Sequence, residues 1–494
     1  MDFKDTKAFS NSSTRYYPTW ILILIVVLLQ VYLIFTTTCS VPLSPATDRE
    51  GGQLSNTAAG DPCSSGRVFV YDLPPIFNKQ LLENCESLDP WTSRCDDVSN
   101  GGFGRRATEL VGVVPDGLAP TWYWSEQYML EPIIHNRILN HKCRTLEPES
   151  ATAFYIPFYA GLSIGRFLWQ NHTASDRDRD SEKLIKWVQD QPYWNRSNGG
   201  DHFITLGRLT WDFKRWGNNE WGSSFALMPG MKNVARLIVE REPSDPLDIG
   251  VPFPTGFHPR SDADVLNWQS YVRERNRTNL FCFAGGTRRG IKNDFRALLL
   301  SYCIKESAGR CRAVKCTANR CASGDSAVLE TFLDSDFCLQ PKGDSYSRKS
   351  VFDCMLAGSI PVIFWERTAY GQYEWFLPEE AGSYSVFIDQ REVRNGSASI
   401  RGVLEKISRE RVRKMREKVI ETIPKLVYAS APEGLETIND AFDIALHGIF
   451  QRLNELRLKN KEEEEEEAGR GDFAEEEAEG EFAAAAAALA RSNF

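Results

Sequence analysis

The sequence predicts an α/β protein of two domains, and three observations carry that reading. Residues 336–364 read DFCLQPKGDSYSRKSVFDCMLAGSIPVIF, the grammar of a strand, a polar turn, a helix and a second strand. Upstream, apolar runs at 68–71, 151–157 and 202–206 alternate with stretches of helical period, which is the pattern of an α/β domain. A Pro-rich connector at 251–259, VPFPTGFHP, then separates that alternation from a second one opening with NLFCFA at 279–284.

Taken in chain order, the first element belongs to neither domain. Lys4, Lys7 and Arg15 precede an apolar span from Pro18 to Phe35 whose run from Trp20 is interrupted only by Gln30. That is close to the ~20 residues a bilayer requires. No small-x-small cleavage site follows before Cys39. The chain therefore reads as a cytosolic tail at 1–17 and an uncleaved signal anchor at 18–38, and the positive-inside rule sends the rest into a lumen, a single-pass type II topology. Residues 39–66, rich in Pro, Ser, Thr, Gly and Asp, read as a stem. The composition beyond it suits an oxidising, glycosylating compartment. Asn171, Asn195, Asn276 and Asn395 each open an N-x-S/T sequon. Eleven cysteines follow Cys39, an odd number that leaves one unpaired. Cys303, Cys311, Cys316 and Cys321 crowd one segment without a C-x-x-C pair, which favours disulfides over zinc. Cys85 and Cys95 suit a local bridge, and Cys338 and Cys354, inside the apolar 336–364 unit, read as buried thiols.

The first domain, 67–250, is built from the strands at 68–71, 151–157 and 202–206 and from helical patterns at 125–140 and 181–189. Tyr128, Met129, Ile133, Ile134 and Ile138 mark the apolar face of the first helix. In the second domain, 251–430, the strand at 279–284 runs into the turn GGTRRG and a helix at 294–303, so Arg288 and Arg289 stand at a strand-to-helix mouth. The 336–364 unit supplies another such mouth. There Gly343 lets backbone approach a ligand, Ser345 and Ser347 offer hydroxyls at the helix start, and Arg348 with Lys349 adds positive charge, a combination suited to a diphosphate. Asp353, five residues beyond Arg348, could accept from a ribose. Helices at 400–423 and 435–457 read as covers, the latter inside a C-terminal helical segment at 431–460.

Charge excludes one class of partner. The whole chain carries −9, but the tail at 461–494 holds twelve acids against three bases, 3 − 12 = −9, so the remainder balances at zero. No basic field is left for nucleic acid, and the Glu- and Ala-rich tail reads as a solvated segment without chemistry. For acid–base work the first candidates are Asp201 and His202, because an imidazole near its own pKa can take a hydroxyl proton, and Glu126 is the second. Trp122, Tyr123, Trp124, Trp194, Trp211, Trp216 and Trp221 include rings in loop-like settings where a sugar face could stack. The Asp-x-Asp runs at 176–180, 262–264 and 334–336 carry little meaning by repetition, and the first reads as a solvated charge run in a loop, so no required metal is expected.

From about Arg67 to about Gly448 the motifs WTSRC, IPFYAG, DHFITLGRLTWDF, FCFAGGTRRG, FCLQPKGDSYSRKSVFDCMLAGSIPVIF and QYEWFLP resemble the plant exostosin-type glycosyltransferases, family 47, in their KATAMARI-type xyloglucan galactosyltransferase subgroup. The resemblance implies a GT-B-like fold, two Rossmann-like domains facing across a cleft, with the acceptor on the first and the donor on the second. It implies a Golgi membrane enzyme that takes galactose from UDP-galactose and places it, with inversion, on a xylose side chain of xyloglucan. The donor is a UDP-sugar substrate, no cofactor is required, and complexes with other glycosyltransferases are expected. It places Asp201 and His202 in the DHF element, and Lys342, Gly343, Ser345, Tyr346, Ser347, Arg348 and Asp353 in the donor element with Arg288 and Arg289. Here AGGTRR stands where AGAPR is commoner, and related members use galacturonic acid or arabinose as the sugar transferred. A catalytically inactive glycan-binding or scaffold protein, and a hydrolase, are the readings from other classes.

Overall fold

A computed structural model of the chain describes residues 61–459 apart from 289, 307–308, 318–320 and 322–325. The expected cytosolic tail, the anchor at 18–38, most of the stem, the acidic tail and Arg289 lie outside the described residues. Among the described residues no helix is long and apolar enough to cross a membrane.

Two wholly parallel sheets organise the molecule. The first contains β1 (Val68–Val70), β2 (Arg144–Thr145), β3 (Ala153–Ile156), β4 (His202–Leu209), β5 (Ala235–Glu240) and β6 (Asp248–Gly250), in the order β2-β1-β3-β4-β5-β6. A parallel sheet must be covered on both faces, and the period-two alternation divides its residues between two apolar layers. Ala153 and Tyr155 of β3 join Val68 and Phe203 against Ile133, Ile134 and Ile138 of the helix Leu130–Asn140. Phe154 and Ile156 point the other way, with Ile204 and Leu206, against Leu184 and Val188 of the helix Ala174–Gln189.

The chain leaves the first sheet at Gly250 and enters the second at Asn279. β7 (Asn279–Gly285), β8 (Cys311–Lys315), β9 (Ser335–Gln340), β10 (Ile360–Ile363) and β11 (Val386–Phe387) lie in the order β11-β10-β9-β7-β8. Phe281, Phe283, Phe337 and Leu339 face Leu299 of the helix Phe295–Lys305, whereas Cys282, Ala284 and Cys338 face Trp268 and Val272 of the helix Asp262–Glu274. One apolar layer is continuous between the sheets through Phe253, Phe352 and Tyr373. A last helix over 441–459 turns back to the first sheet, where Asn454 donates to the Ser65 carbonyl (3.1 Å) and Arg457 to that of Thr152 (2.9 Å).

Several expectations are corrected by local chemistry. The first helix starts at Leu130 rather than 125, because the Tyr128 amide is taken by the Glu126 carboxylate (2.6 Å). The stretch at 176–180 is not a solvated loop. Thr173 and Asp176 form a capping box that starts a helix at Ala174, Asp178 is buried against Arg215 and the Ser224 amide (2.9 Å), and Asp180 pairs with Arg166 at 2.5 Å. The cover expected at 400–423 breaks in two, Ile400–Glu405 and Arg409–Thr422, because Ser408 caps the second piece through the Arg411 amide (3.2 Å). Cys338 and Cys354 are joined rather than free, since β9 and the helix that follows it pack face to face. Cys85–Cys95, Cys303–Cys311, Cys316–Cys321 and Cys63–Cys143 are also bridged, and the buried Cys282 is a free thiol.

Candidate active site

Ligands of open parallel sheets bind beyond the carboxyl ends of the strands. On the second sheet those ends carry three arginines. β7 ends at Gly285, and Asp294 caps the next helix by accepting from the Arg296 and Ala297 amides (both 3.2 Å) and also from the Arg288 amide (2.9 Å). β9 ends at Gln340 and leads through residues 341–347 to Arg348, the N-cap residue of the helix Lys349–Leu356. Arg288 donates to the Gly343 carbonyl and pairs with Asp344 (2.9 Å). Arg296 reaches the Lys342 carbonyl (3.3 Å) and the same Asp344 (3.5 Å), and Arg348 donates to the Ala284 carbonyl (3.2 Å).

Two guanidiniums thus pair with one carboxylate that is itself 72 % exposed, and the charge of the third, Arg348, is felt by it as well. Burial, reinforced by the neighbouring charges of Arg296 and Arg288 and opposed by Asp344, pushes Arg348 down to about 9. Arg288 Nε, Arg296 Nε and one terminal nitrogen of Arg348 are buried with no protein partner among the described residues. A buried donor without an acceptor costs about 1–3 kcal/mol. Clustered at neighbouring strand ends with surplus positive charge, the three guanidiniums suit a polyanion such as a diphosphate.

The 341–347 loop is shaped from both sides. A Cβ on Gly343 would overlap the Ser347 carbonyl, so only glycine fits there. Ser347 does not cap the helix as its position suggested. Its amide and hydroxyl both donate to Glu240 at the end of β5 (each 2.6 Å), which fastens the loop to the first sheet. Burial, opposed by hydrogen bonds from Ser345, Ser347 and Tyr346, raises the Glu240 carboxyl. Lys342 lies 5.0 Å over the Trp365 ring, and Tyr346 stands between Trp365 (5.3 Å) and Arg367 (5.4 Å). Asp353 is held by Lys349 at 2.7 and 3.0 Å, so a ribose would share that carboxylate with an ammonium.

On the first sheet the candidates separate. Asp201 and His202 stand at the amino end of β4, the opposite end of the sheet from Glu240. His202 is fully buried, its ring nitrogens 2.8 Å from the Tyr71 hydroxyl and 2.7 Å from Asp201, and it stacks on Phe154. Asp201 also accepts from Arg196 (2.6 Å) and Ser197 (2.5 Å). The structure therefore does not bring this pair to the arginines. Glu126 stands elsewhere. Its carboxylate, 17 % exposed, lies 3.9 Å from Arg94, and burial raises its pKa against the pull of Arg94. The adjoining Tyr128 ring lies 4.3 Å beneath Arg208, which binds Asp212 (2.9 Å) past the carboxyl end of β4. The Tyr128 phenol is raised by burial and also by the charges of Asp212, Glu126 and Asp344, so this group and the donor loop share one electrostatic neighbourhood.

Arg296 was missed by sequence reasoning. The signal was its place two residues after a helix-capping Asp, where a long cation can fold back over the helix start. The sequon asparagines Asn171, Asn195, Asn276 and Asn395 are all exposed. No group of three or more His, Cys, Asp or Glu side chains could hold a metal ion among the described residues.

The Exostosin GT47 domain matches residues 62–404. The chain is 62 % identical over 393 residues to xyloglucan galactosyltransferase XLT2 of Arabidopsis thaliana, covering 80 % of this chain and 76 % of that one. It is 39 % identical over 399 residues to xyloglucan galactosyltransferase MUR3 of the same plant, covering 80 % and 64 %. It is also 39 % identical over 393 residues to xyloglucan-specific galacturonosyltransferase 1 of A. thaliana, covering 79 % and 58 %. Among solved structures, the GtfA/B complex aligns with 57 % of this chain and 61 % of that one at a TM-score of 0.28 and 10 % identity. WaaG, a glycosyltransferase involved in lipopolysaccharide biosynthesis, aligns with 62 % and 93 % at 0.29 and 12 %.

Proposed function

We propose, from the premise that the chain belongs to the exostosin GT47 family, that it transfers galactose from UDP-galactose to a xylose side chain of xyloglucan with inversion. The observation that carries the chemistry is the cluster of Arg288, Arg296 and Arg348 at the carboxyl ends of the second sheet. Galactose is favoured over galacturonic acid because identity to a galactosyltransferase reaches 62 %, against 39 % to the galacturonosyltransferase. The two sheets would work as the halves of a GT-B enzyme, donor on the second and acceptor on the first, in a type II protein anchored in the Golgi membrane.

In this mechanism the acceptor hydroxyl loses its proton to a base as its oxygen attacks the anomeric carbon. The bond from that carbon to the β-phosphate oxygen breaks on the opposite face, and UDP leaves with the electron pair. The arginines receive the charge that develops on the departing diphosphate, which requires displacement of Asp344 from them. Glu126, with its raised carboxyl on the acceptor side, takes the base role in place of His202. Since the three guanidiniums supply the neutralising charge, transfer should not depend on a divalent cation.

The test is incubation of the full chain in detergent with UDP-galactose and a xylosylated glucan oligosaccharide, with and without chelator. Gain of one hexose on the oligosaccharide, equal in both, is expected. Gain from UDP-galacturonic acid or UDP-arabinose instead would reassign the donor. Hexose release without transfer would make the chain a hydrolase, and binding without turnover an inactive glycan-binding protein.

A further inference from the structure

Four tryptophans form a connected strip on the surface of the first half of the molecule. Trp91 and Trp169 have ring centroids 5.1 Å apart, Trp169 and Trp221 are 4.8 Å apart, and Trp221 and Trp211 are stacked at 6.0 Å. Trp91 is 65 % exposed, Trp169 38 % and Trp211 43 %. Indoles are among the most apolar side chains, and burying one stabilises a fold by a few kcal/mol. Several left in water against one another, rather than scattered singly, mark a surface kept for a ligand.

The strip is built, not accidental. Trp91 lies in a short loop closed by the Cys85–Cys95 disulfide. Asp89 fixes that loop by accepting from the Trp91 amide (3.0 Å), the Thr92 amide (3.1 Å) and Arg94 (3.0 Å). Trp221, between Trp169 and Trp211, is locked by its indole N–H, which donates to Asp212 (2.6 Å). Both anchors lead to the same place. Arg94 is the cation 3.9 Å from Glu126, and Asp212 holds Arg208 over Tyr128, two residues from Glu126. The strip is thus tied at two points to the carboxylate assigned to take the acceptor proton.

We propose that Trp91, Trp169, Trp221 and Trp211 form a track for the backbone of an uncharged, β-linked polysaccharide, holding the sugar units that flank the one being modified. The inference rests on the acceptor role given to this half of the molecule above. Flat sugar faces carry C–H groups of slight positive charge that settle on the negative face of an aromatic ring, while their rim hydroxyls stay in water. A half-exposed strip meets both needs. The occupant is uncharged because the rings themselves are neutral and the arginines and carboxylates beside them are already paired. The rival occupant is the chain's own N-glycan, because the Asn171 sequon lies two residues beyond Trp169.

Affinity electrophoresis of the full chain in detergent, through gels with and without soluble xyloglucan, tests the track without requiring turnover. Wild type and the exposed control Trp216→Ala, whose ring is 82 % exposed and lies outside the strip, should be retarded. Trp91→Ala, Trp169→Ala and their double variant should lose most of that retardation, with about a tenfold weaker dissociation constant and unchanged Tm. Equal retardation of the double variant, or none for wild type, overturns the proposal. Retardation seen only in Asn171→Gln also overturns it, and gives the strip to the N-glycan. An enzyme that binds xyloglucan through these rings but moves no sugar would refute the transferase reading alone.

Discussion

The arginine cluster is decided residue by residue. Arg288 and Arg348 were legible because each stands in a polar turn between an apolar run and a helical stretch, where a cation lies beside exposed helix amides. Arg296 was not, because DFRALLL reads as an ordinary helix start and only the fold turns that side chain toward Asp344. Its removal should weaken UDP binding by about 1.5–3 kcal/mol, the usual worth of a charge-assisted hydrogen bond, which is roughly ten- to a hundredfold in Kd. It should also relieve the repulsion on Arg348. Calorimetric titration of Arg296→Ala with UDP measures this, and an unchanged Kd removes Arg296 from the site. His202 illustrates the opposite failure. A histidine beside an aspartate carries the same signature whether it faces a cleft or a core, and burial against Tyr71 and Phe154 is invisible in DHF. Glu126 takes the role instead, and its raised carboxyl sets a sign. It is ionised only above its raised pKa, so kcat/KM should fall as pH drops through a value above the ordinary carboxylate range. Glu126→Gln should lose at least about a hundredfold in kcat, as general-base variants do, and keep its UDP affinity. An acid limb unaltered in that variant would assign the limb to another group.

At the scale of elements, the strand–turn–helix–strand grammar of 336–364 was readable because each piece is short, apolar and punctuated by Pro341, Gly343 and Gly358. What holds the turn was not, because its fastening comes from Glu240, more than a hundred residues earlier in the chain. The same limit hid the helix at 174–189. Its charged first turns look solvated until Asp178 meets Arg215 and Asp180 meets Arg166 from other elements. The loop makes its own prediction. Gly343→Ala forces a methyl into the Ser347 carbonyl, so the turn must open and release the Gly343 carbonyl from Arg288. UDP affinity should drop about tenfold, 1.4 kcal/mol, with the Tm lowered by only a few degrees because the strain is confined to one turn. UDP binding at wild-type strength in that variant would mean the donor does not need this loop shape.

Across the whole molecule, the two sheets are held in register by buried contacts that cross between them. Tyr373 donates to the Val239 carbonyl (2.8 Å), Arg137 reaches the Ala431 carbonyl (2.8 Å) and Asp440 (3.4 Å), and His258 lies 2.7 Å from both the Ser125 hydroxyl and the Tyr428 carbonyl. The apolar alternation predicted two sheets, but it said nothing of these ties, each joining residues more than a hundred positions apart. His258 makes them sensitive to acid. Burial, with the Lys349 charge adding to it, pushes the ring down to about 3, so it stays neutral in the folded protein while an unfolded histidine takes a proton below about 6.5. A depressed pKa contributes stability that is complete above 6.5 and is lost as pH falls toward the folded value. By pH 4.5 that loss is about 2–3 kcal/mol for this ring. Glu131 and Asp443, each raised by burial to about 7, work in the opposite direction, since their contribution is present in acid and lost as pH rises toward 7. Wild-type stability alone therefore mixes the two slopes, and a difference measurement separates them. Urea unfolding of wild type and His258→Gln at pH 7 and at pH 4.5 should show the variant clearly weaker at neutral pH, with the gap closing by about 2–3 kcal/mol in acid. A gap of the same size at both pH values would mean that His258 is not the group whose protonation loosens the junction between the sheets.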